Sequence, residues 1–155
     1  MAGGVTVRRA RPDEAEAVHG VLRAAFTPFR ARYSPGCFDA TVLDAARVRA
    51  RMEEGPVFVA ETEGRIVGTV GVRLDDRGAY VRGLAVHPDA RRAGVGRALM
   101  DACTAWARGR TDRIWLSTTV FLAGSIALYQ RLGFQDAPGP AALEGTPLRS
   151  FEKRL

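Results

Sequence analysis

Residues 80–108 read YVRGLAVHPDARRAGVGRALMDACTAWAR, and this stretch decides the fold. Its first part, Tyr80–Val86, is rich in β-branched and aromatic residues, as strands are. Pro88 then ends the strand because proline cannot donate to a strand ladder. Apolar residues recur after the turn at the spacing of one helix face, at Val95, Leu99, Ala102, Cys103 and Trp106. The stretch predicts a strand, a tight turn and a helix that begins near Gly94 or Val95.

The turn before this helix has the properties of an anion-binding site. A helix N-terminus presents unpaired backbone N–H groups and the positive end of the helix dipole. Gly94 and Gly96 keep these amides bare, and Arg91, Arg92 and Arg97 add positive charge around them. These residues predict a phosphate-bearing ligand at the start of the helix.

Two other phosphate-binding loops do not match this turn. Leu99 stands where the dinucleotide fingerprint G-x-G-x-x-G needs its third glycine, and the chain contains no G-K-[ST] for a P-loop. An ordinary strand-to-helix turn is the remaining alternative for the two glycines.

The pattern R-x-x-G-x-G at 91–96, after a strand that ends L-A-V-x-P, resembles the acyl-CoA-binding motif of the GCN5-related N-acetyltransferase (GNAT) superfamily. In similar proteins the loop amides hold the CoA pyrophosphate and the preceding strand holds the pantetheine arm. The resemblance implies strand contacts to acetyl-CoA at Leu84, Ala85 and Val86. It implies loop contacts at Arg91, Arg92, Ala93, Gly94, Val95, Gly96, Arg97 and Ala98.

A second segment, IALYQRLGF at 126–134, is similar to the other widely shared GNAT motif. The resemblance implies that Tyr129 is the catalytic general acid that protonates the departing CoA thiolate. A phenol suits this task because its ordinary pKa, near 10, keeps it protonated at neutral pH. Packing is the alternative for Tyr129, because Ile126, Tyr129 and Leu132 share a helix face, and both roles are compatible.

The implied reaction is direct attack of a neutral amine on the thioester, with no metal. The Val86 N–H is one candidate donor to the developing oxyanion. The general base stays open, because Tyr80 stands where some relatives have a glutamate at the head of the central strand. Water-mediated substitutes are Glu61, Glu63, His19 and His87.

Two positions depart from the family pattern beside Tyr129. Leu122 stands where many relatives have an asparagine that contacts the pantetheine arm, and Ser125 stands where alanine is common. The first change predicts weaker CoA binding without abolishing it.

The length of 155 residues suits one domain that can bury a core of its own, and the resemblance implies that residues 1–155 form one N-acetyltransferase domain. No apolar run approaches the roughly 20 residues of a membrane span, and the N-terminus lacks the apolar centre of a signal peptide, so we expect a cytoplasmic protein that binds no membrane. Cys37 and Cys103 have no metal-like spacing, and Cys103 lies on the predicted apolar helix face. The net charge of +6 suits a polyanionic ligand such as CoA, and its scattered basic residues do not favour nucleic acid.

Helices alternate with strands through the middle of the chain, and hairpins flank them. This order predicts the α/β class with a mixed sheet, and the resemblance implies a mostly antiparallel GNAT-like sheet of about six to seven strands with about four helices. One helix is predicted over 41–54, with Arg47, Arg49 and Arg51 on a solvated face. Gly68 and Gly71 inside a strand predict a bulge or a close approach.

The segment Thr27–Asp39 is predicted to be a loop or a broken helix and contains two prolines, a glycine and three aromatic residues. Loops of this length often carry function. In similar proteins this segment walls the acceptor site, so Phe29, Tyr33 and Phe38 are candidate substrate-binding residues, while Arg30 and Arg32 are candidates to meet an acidic group. Aromatic residues that pin the loop onto the core are the equal alternative.

The resemblance implies an acyltransferase that moves acetyl from acetyl-CoA to a primary amine of a small molecule. A protein N-terminus or lysine is the alternative acceptor. A non-catalytic acyl-CoA-binding regulatory module is the alternative from another class. Homodimers are common among similar proteins, so the resemblance also allows a homodimer.

Overall fold

A computed structural model describes residues 4–91 and 93–155. Within these residues the chain forms five α-helices and eight strands. The helices are α1 (Ala15–Phe26), α2 (Pro35–Thr41), α3 (Ala45–Glu54), α4 (Val95–Ala107) and α5 (Ala123–Arg131). The strands are β1 (Thr6–Arg9), β2 (Val57–Thr62), β3 (Arg65–Asp75), β4 (Gly78–Val86), β5 (Arg113–Thr119), β6 (Gln135–Ala137), β7 (Ala142–Leu143) and β8 (Thr146–Arg154).

The strands form one open sheet in the order β1-β2-β3-β4-β5-β8-β6, and β7 pairs with β8. Among the described strands, the β4–β5 pair is parallel and every other pair is antiparallel. Helix α4 supplies the crossover that a parallel pair requires. The predicted α/β class with a mixed, mostly antiparallel sheet is confirmed, and the sheet sits centrally between two helical layers.

Two apolar clusters cover the sheet. One joins α4 and α5 to the sheet and contains the fully buried Leu99 and Phe151. The other joins α1, α2 and α3 to the sheet around Leu22 and Val48. Burial of each such side chain stabilises the fold by about 1.5–3 kcal/mol.

Glycine allows α4 to lie close to β3. A Cβ at Gly68 would come within 2.7 Å of Val95 Cγ1 and 2.9 Å of Leu99 Cδ1, both on α4. The register of β3 against β2 also shifts here, because one step along β2, from Ala60 to Glu61, matches two steps along β3, from Gly68 to Ile66. Both features predicted from Gly68 and Gly71, a close approach and a bulge, therefore occur in this region.

The helix predicted roughly over 41–54 is present as α3 but begins later, at Ala45. The start is set by local capping: Asp44 accepts the Arg47 amide at 2.9 Å and is the N-cap of α3. Similarly, Ser34 accepts the Cys37 amide at 3.1 Å and begins α2 inside the segment predicted to be a loop or a broken helix. The additional short strand, β7, comes from the proline- and glycine-containing segment that follows α5.

Candidate active site

The N-terminus of α4 leaves its backbone amides uncovered. Gly94 is the N-cap, with φ 75° in the left-handed region that favours glycine, and no described side chain hydrogen-bonds to this cap. The amide of Ala98 reaches the Gly94 carbonyl at 3.0 Å and is the first to bond within the helix. The amides ahead of Ala98, together with the helix dipole, therefore form a surface that favours an anion.

A second glycine brings α5 against this surface. A Cβ at Gly96 would lie 3.0 Å from Leu128 Cδ2 on α5. The absence of that Cβ lets the first turn of α4 and the middle of α5 form two walls of one cleft.

Arginine side chains surround the cleft. Arg97 lines it from α4 and Arg131 lines it from α5. Arg91 also lines it and donates from Nη2 to the Ala25 carbonyl at 3.4 Å, which ties the loop to the end of α1. Arg92, predicted as a loop contact, lies outside the described residues. Arg131 was missed, although it follows Tyr129 by only two positions.

Strands β4 and β5 separate next to this loop. Their parallel pairing ends at Val81–Leu116, although β4 continues to Val86 and β5 continues to Thr119. The last part of β4 therefore faces a gap where a sheet neighbour would otherwise lie, with backbone polar groups available to a ligand.

A bulge in β4 accompanies the separation. Two steps along β3, from Thr69 to Gly71, match three steps along β4, from Ala85 to Arg82. Gly83 lies in this extra length with φ 70°. A bulge bends its strand and increases the local twist, which directs the end of β4 away from β5.

Two cavities occupy the resulting space. The larger cavity has a volume of about 560 Å³ and lies between the α4 loop, the end of β4 and α5. The smaller cavity has a volume of about 210 Å³ and extends between β4 and β5. Both are lined by Phe26, Leu84, Leu122 and Ser125, so the two cavities are contiguous.

Most of the predicted CoA-binding residues line the larger cavity. Ala93 and Ala98 are not among its lining residues. Those that line it are Leu84, Ala85, Val86, Arg91, Gly94, Val95, Gly96 and Arg97.

Tyr129 lines the smaller cavity and is 4% exposed. The end of α5 fixes its position: the Phe134 amide donates to the Tyr129 carbonyl at 3.0 Å, and the Gly133 amide donates to the Gln130 carbonyl at 3.1 Å. This is a Schellman motif, and Gly133 supplies its left-handed residue with φ 92°. The Phe134 ring completes the motif with its centroid 6.0 Å from that of Tyr129. Tyr129 therefore both packs in the core and faces a cavity.

Burial raises the pKa of Tyr129 above its ordinary value of about 10. The neighbouring Cys103 acts in the same direction, and the Ser125 hydroxyl acts in the opposite direction. Burial also raises the pKa of Cys103 to about 12, which fits its predicted place in the core. The Tyr129 phenol is thus a neutral hydrogen-bond donor throughout the physiological pH range.

The three aromatic residues predicted for the acceptor site lie in different places. Tyr33 lines the smaller cavity, where burial raises its pKa to about 12. Phe29 lines the larger cavity and stacks on Phe121 at a centroid distance of 6.1 Å. Phe38 lines neither cavity and instead packs edge-on against Tyr33 at 5.7 Å. Arg30 lies over the Phe38 ring at 4.9 Å.

The four substitutes for a general base lie away from both cavities. His19 Nδ1 is 2.8 Å from the Leu43 carbonyl, and Glu61 pairs with Arg8 at 2.9 Å. His87 accepts the Asp89 amide in the turn after β4, and Glu63 lies in the β2–β3 turn with φ 50°. None of the four lines either cavity within the described part of the chain.

Arg51 corrects the solvated face predicted for α3. Arg49 is exposed, but Arg51 is half-buried and lines the smaller cavity. Its Nη1 atom is 2.7 Å from where a Cβ on Gly83 would lie, so the guanidinium lies over the β4 bulge. Helical spacing in α3 did not reveal this, because the cavity forms only when β4 bends.

Residues 4–91 and 93–155 contain no group of three or more His, Cys, Asp and Glu side chains placed to hold a metal ion. No helix within these residues combines the length and apolarity needed to cross a membrane.

Comparison with known proteins identifies similar sequences. The family model described as Acetyltransferase (GNAT) family matches residues 18–134. The IAA acetyltransferase of Azospirillum brasilense is 35% identical over 101 residues, which are 63% of this chain and 65% of that protein. The chain spans 65% or less of the length of the first curated relatives that it matches.

Solved structures share the fold. The PaiA N-acetyltransferase of Thermoplasma acidophilum, in complex with coenzyme A, has a TM-score of 0.80 at 13% identity, covering 98% of this chain and 99% of that chain. The yncA protein of Salmonella typhimurium, with its cofactor acetyl-CoA, has a TM-score of 0.74 at 20% identity, covering 97% of this chain and 94% of that chain.

Proposed function

This chain belongs to the acetyltransferase (GNAT) family, and from that premise we propose that it transfers an acetyl group from acetyl-CoA to a primary amine of a small molecule. Residues 1–155 act in this proposal as one N-acetyltransferase domain. The observation that carries the proposal is the pair of contiguous cavities at the separation of β4 and β5, with an anion-binding helix start in one and Tyr129 in the other.

The residues of the larger cavity fit acetyl-CoA. The uncapped amides at the start of α4 suit the pyrophosphate, and Arg91, Arg97 and Arg131 match its charge. The unpaired edge of β4 from Leu84 to Val86 offers backbone groups to the amide-bearing pantetheine arm. Bound acetyl-CoA would supply an acyl group activated as a thioester.

Tyr129 has the properties of the general acid in this proposal. Its hydroxyl group is on a buried ring held by the Schellman motif at the end of α5, in the cavity adjacent to the CoA-binding one. Its raised pKa keeps the proton on the oxygen at neutral pH, so the hydroxyl is available to protonate the sulfur as the thiolate departs.

The amine in this proposal reacts in its neutral form. The smaller cavity is lined by no Asp, Glu or His among the described residues, so the protein offers no direct base there. An amine would lose its proton to solvent before it enters. The Val86 N–H remains a proposed oxyanion donor, and Val86 lines the larger cavity beside the shared boundary.

The size of the smaller cavity supports a small acceptor. Its volume of about 210 Å³ suits an amine of metabolite size better than a folded polypeptide segment. We propose that Tyr33 contributes to this acceptor site from the segment between α1 and α2.

Acetyl-CoA turnover, measured as release of free thiol, tests the function across a panel of amines, amino acids and peptides, alongside the affinity for acetyl-CoA measured by calorimetry. We expect micromolar binding and turnover with small amines. Turnover with peptides alone would favour a protein acceptor. Tight binding without any turnover would favour a regulatory module. No binding of acetyl-CoA would overturn the proposal.

A further inference from the structure

A cation without a partner lies in the smaller cavity. Among the described residues, Arg51 has neither a hydrogen bond nor an ion pair, and the nearest acid on its own helix, Glu54, is engaged by Arg82. The Arg51 guanidinium lies over Gly83, with Nη1 2.7 Å from where a Cβ on Gly83 would lie. A guanidinium without a protein partner on a cavity wall is available to an anionic ligand.

The surroundings of Arg51 are positively charged. Arg73 and Arg82 lie close enough to lower its pKa together with burial, the larger cause, and Glu54 offsets them only in part. Arg73 Nε and Arg82 Nε are also buried without hydrogen-bond partners among the described residues. With a pKa of about 10, Arg51 still carries its charge at neutral pH. This end of the cavity therefore favours an anion.

The other residues that line the smaller cavity indicate that the anion bound there is part of the acceptor substrate. Arg51, Thr118 and Tyr129 all line this cavity, and the described lining contains no acidic side chain. An acceptor that carried only an amine would meet an exclusively cationic and neutral wall, whereas an amine with its own negative group would be bound by Arg51.

We propose that Arg51 binds a carboxylate of the acceptor, so that the substrate is an amine of the amino-acid class rather than a simple amine. This inference rests on the proposed function and names its substrate class. The planar guanidinium matches a carboxylate with two parallel hydrogen bonds. Arg51 is thus the residue that decides acceptor specificity.

A test compares amino acids with their carboxamides. We would measure kcat/KM for alanine, methionine and phenylalanine and for the three amides, with wild-type protein, Arg51→Met and Arg51→Lys. In the wild type we expect the acids to be preferred by about 10- to 100-fold, the range for a charge-assisted pair. Arg51→Met should bring the ratio close to one, chiefly through the KM of the acids, and Arg51→Lys should retain part of it.

Arg49→Met is the matched control, because Arg49 lies on the same helix and is exposed. It should leave the acid-to-amide ratio and the acetyl-CoA affinity unchanged. A purely structural role for Arg51 at the β4 bulge would lower the rates for acids and amides equally, and that result would overturn the inference.

Product binding provides a readout that needs no turnover. By calorimetry, N-acetylmethionine should bind wild type and not Arg51→Met, whereas N-acetylmethioninamide should bind both weakly and equally. If acetyl-CoA does not bind but N-acetylmethionine still depends on Arg51, the proposed function fails and the carboxylate site stands. If acetyl-CoA turnover proceeds with acids and amides alike, the function stands and the carboxylate site is overturned.

Discussion

The two cavities differ in what builds them. The larger cavity offers backbone groups to an anion: uncapped amides at α4, the free edge of β4, and Gly94 and Gly96, which leave the amides bare. The smaller cavity is formed by side chains from elements far apart in the chain, such as Arg51 of α3 and Tyr129 of α5. A backbone-built site needs glycines at fixed places and tolerates change elsewhere. A site built from side chains changes its ligand when one residue changes.

The largest expected effect tests the smaller cavity, which is formed by side chains. Tyr129→Phe removes one hydroxyl group and should lower kcat by about 10²- to 10⁴-fold, the usual contribution of a general acid. The acetyl-CoA dissociation constant should stay within about twofold, because the backbone-built cavity does not depend on that hydroxyl. Steady-state kinetics and calorimetry measure the two quantities.

Tyr33→Phe is the comparison variant, since it removes another buried hydroxyl from the same cavity. We expect it to act mainly on the acceptor KM. A kcat for Tyr129→Phe close to that of wild type would remove Tyr129 from the chemistry.

The second largest effect tests the larger cavity, where backbone amides at the start of α4 bind the anion. Gly94→Ala places a Cβ at φ 75°, which costs about 1–2 kcal/mol of stability if the loop holds and moves the amides if it relaxes. We expect about a tenfold loss of acetyl-CoA affinity, as one misplaced anion contact implies. Gly109→Ala is the matched control: it has φ 82°, and a Cβ there also meets open space.

Both glycine variants should lose similar stability in urea unfolding, and only Gly94→Ala should lose affinity. Equal affinity in both would mean that the start of α4 does not bind the co-substrate.

A smaller effect is expected from the arginines that surround the backbone-built cavity. Arg97→Met and Arg131→Met should each weaken acetyl-CoA binding by a few-fold at low salt, because exposed charge contacts contribute about 0.2–1 kcal/mol. The difference should shrink at high salt. Arg154→Met, an exposed arginine on β8, is the control and should bind as wild type does. If the loss of acetyl-CoA affinity were the same at low and high salt, these side chains would act by packing rather than by charge.

The smallest effect expected concerns the pH profile, in which deprotonation of the general acid should not appear. Because burial raises the pKa of Tyr129 above about 10, the acid should stay protonated as the pH rises from 6 to 10. The amine, in contrast, loses its proton over the same range. The kcat should therefore rise with pH and show no descending limb below pH 10. A decline near pH 8 would show that another group supplies the proton.

The sequence predicted the site best where backbone groups form it. The start of α4 and the strand before it follow from local patterns, since glycines, a proline and helical periodicity act within a few residues of one another. The α/β class and the mixed sheet followed from the same kind of pattern.

The residues that line the smaller cavity could be predicted only in part from the sequence. Tyr129 was named through a family resemblance, but Arg51 was assigned to a solvated face because helical spacing says nothing about a strand that bends towards it. Phe29, Tyr33 and Phe38 could not be separated, because Phe29 lies in a 3-10 helix over Thr27–Arg32, Tyr33 follows that helix, and Phe38 lies in α2 beyond the Ser34 cap. Which cavity each side chain reaches depends on contacts among elements distant in sequence.

The short contact between β4 and β5 has a mechanical consequence. The sheet consists of two antiparallel parts joined by the parallel β4–β5 pair, whose pairing ends at Val81–Leu116. Thermal unfolding should begin between β4 and β5 before the outer strands of either part separate, because few backbone hydrogen bonds join these two strands. A substrate bound between the two parts would hold them together, and the protein would therefore become more stable when it binds its substrate.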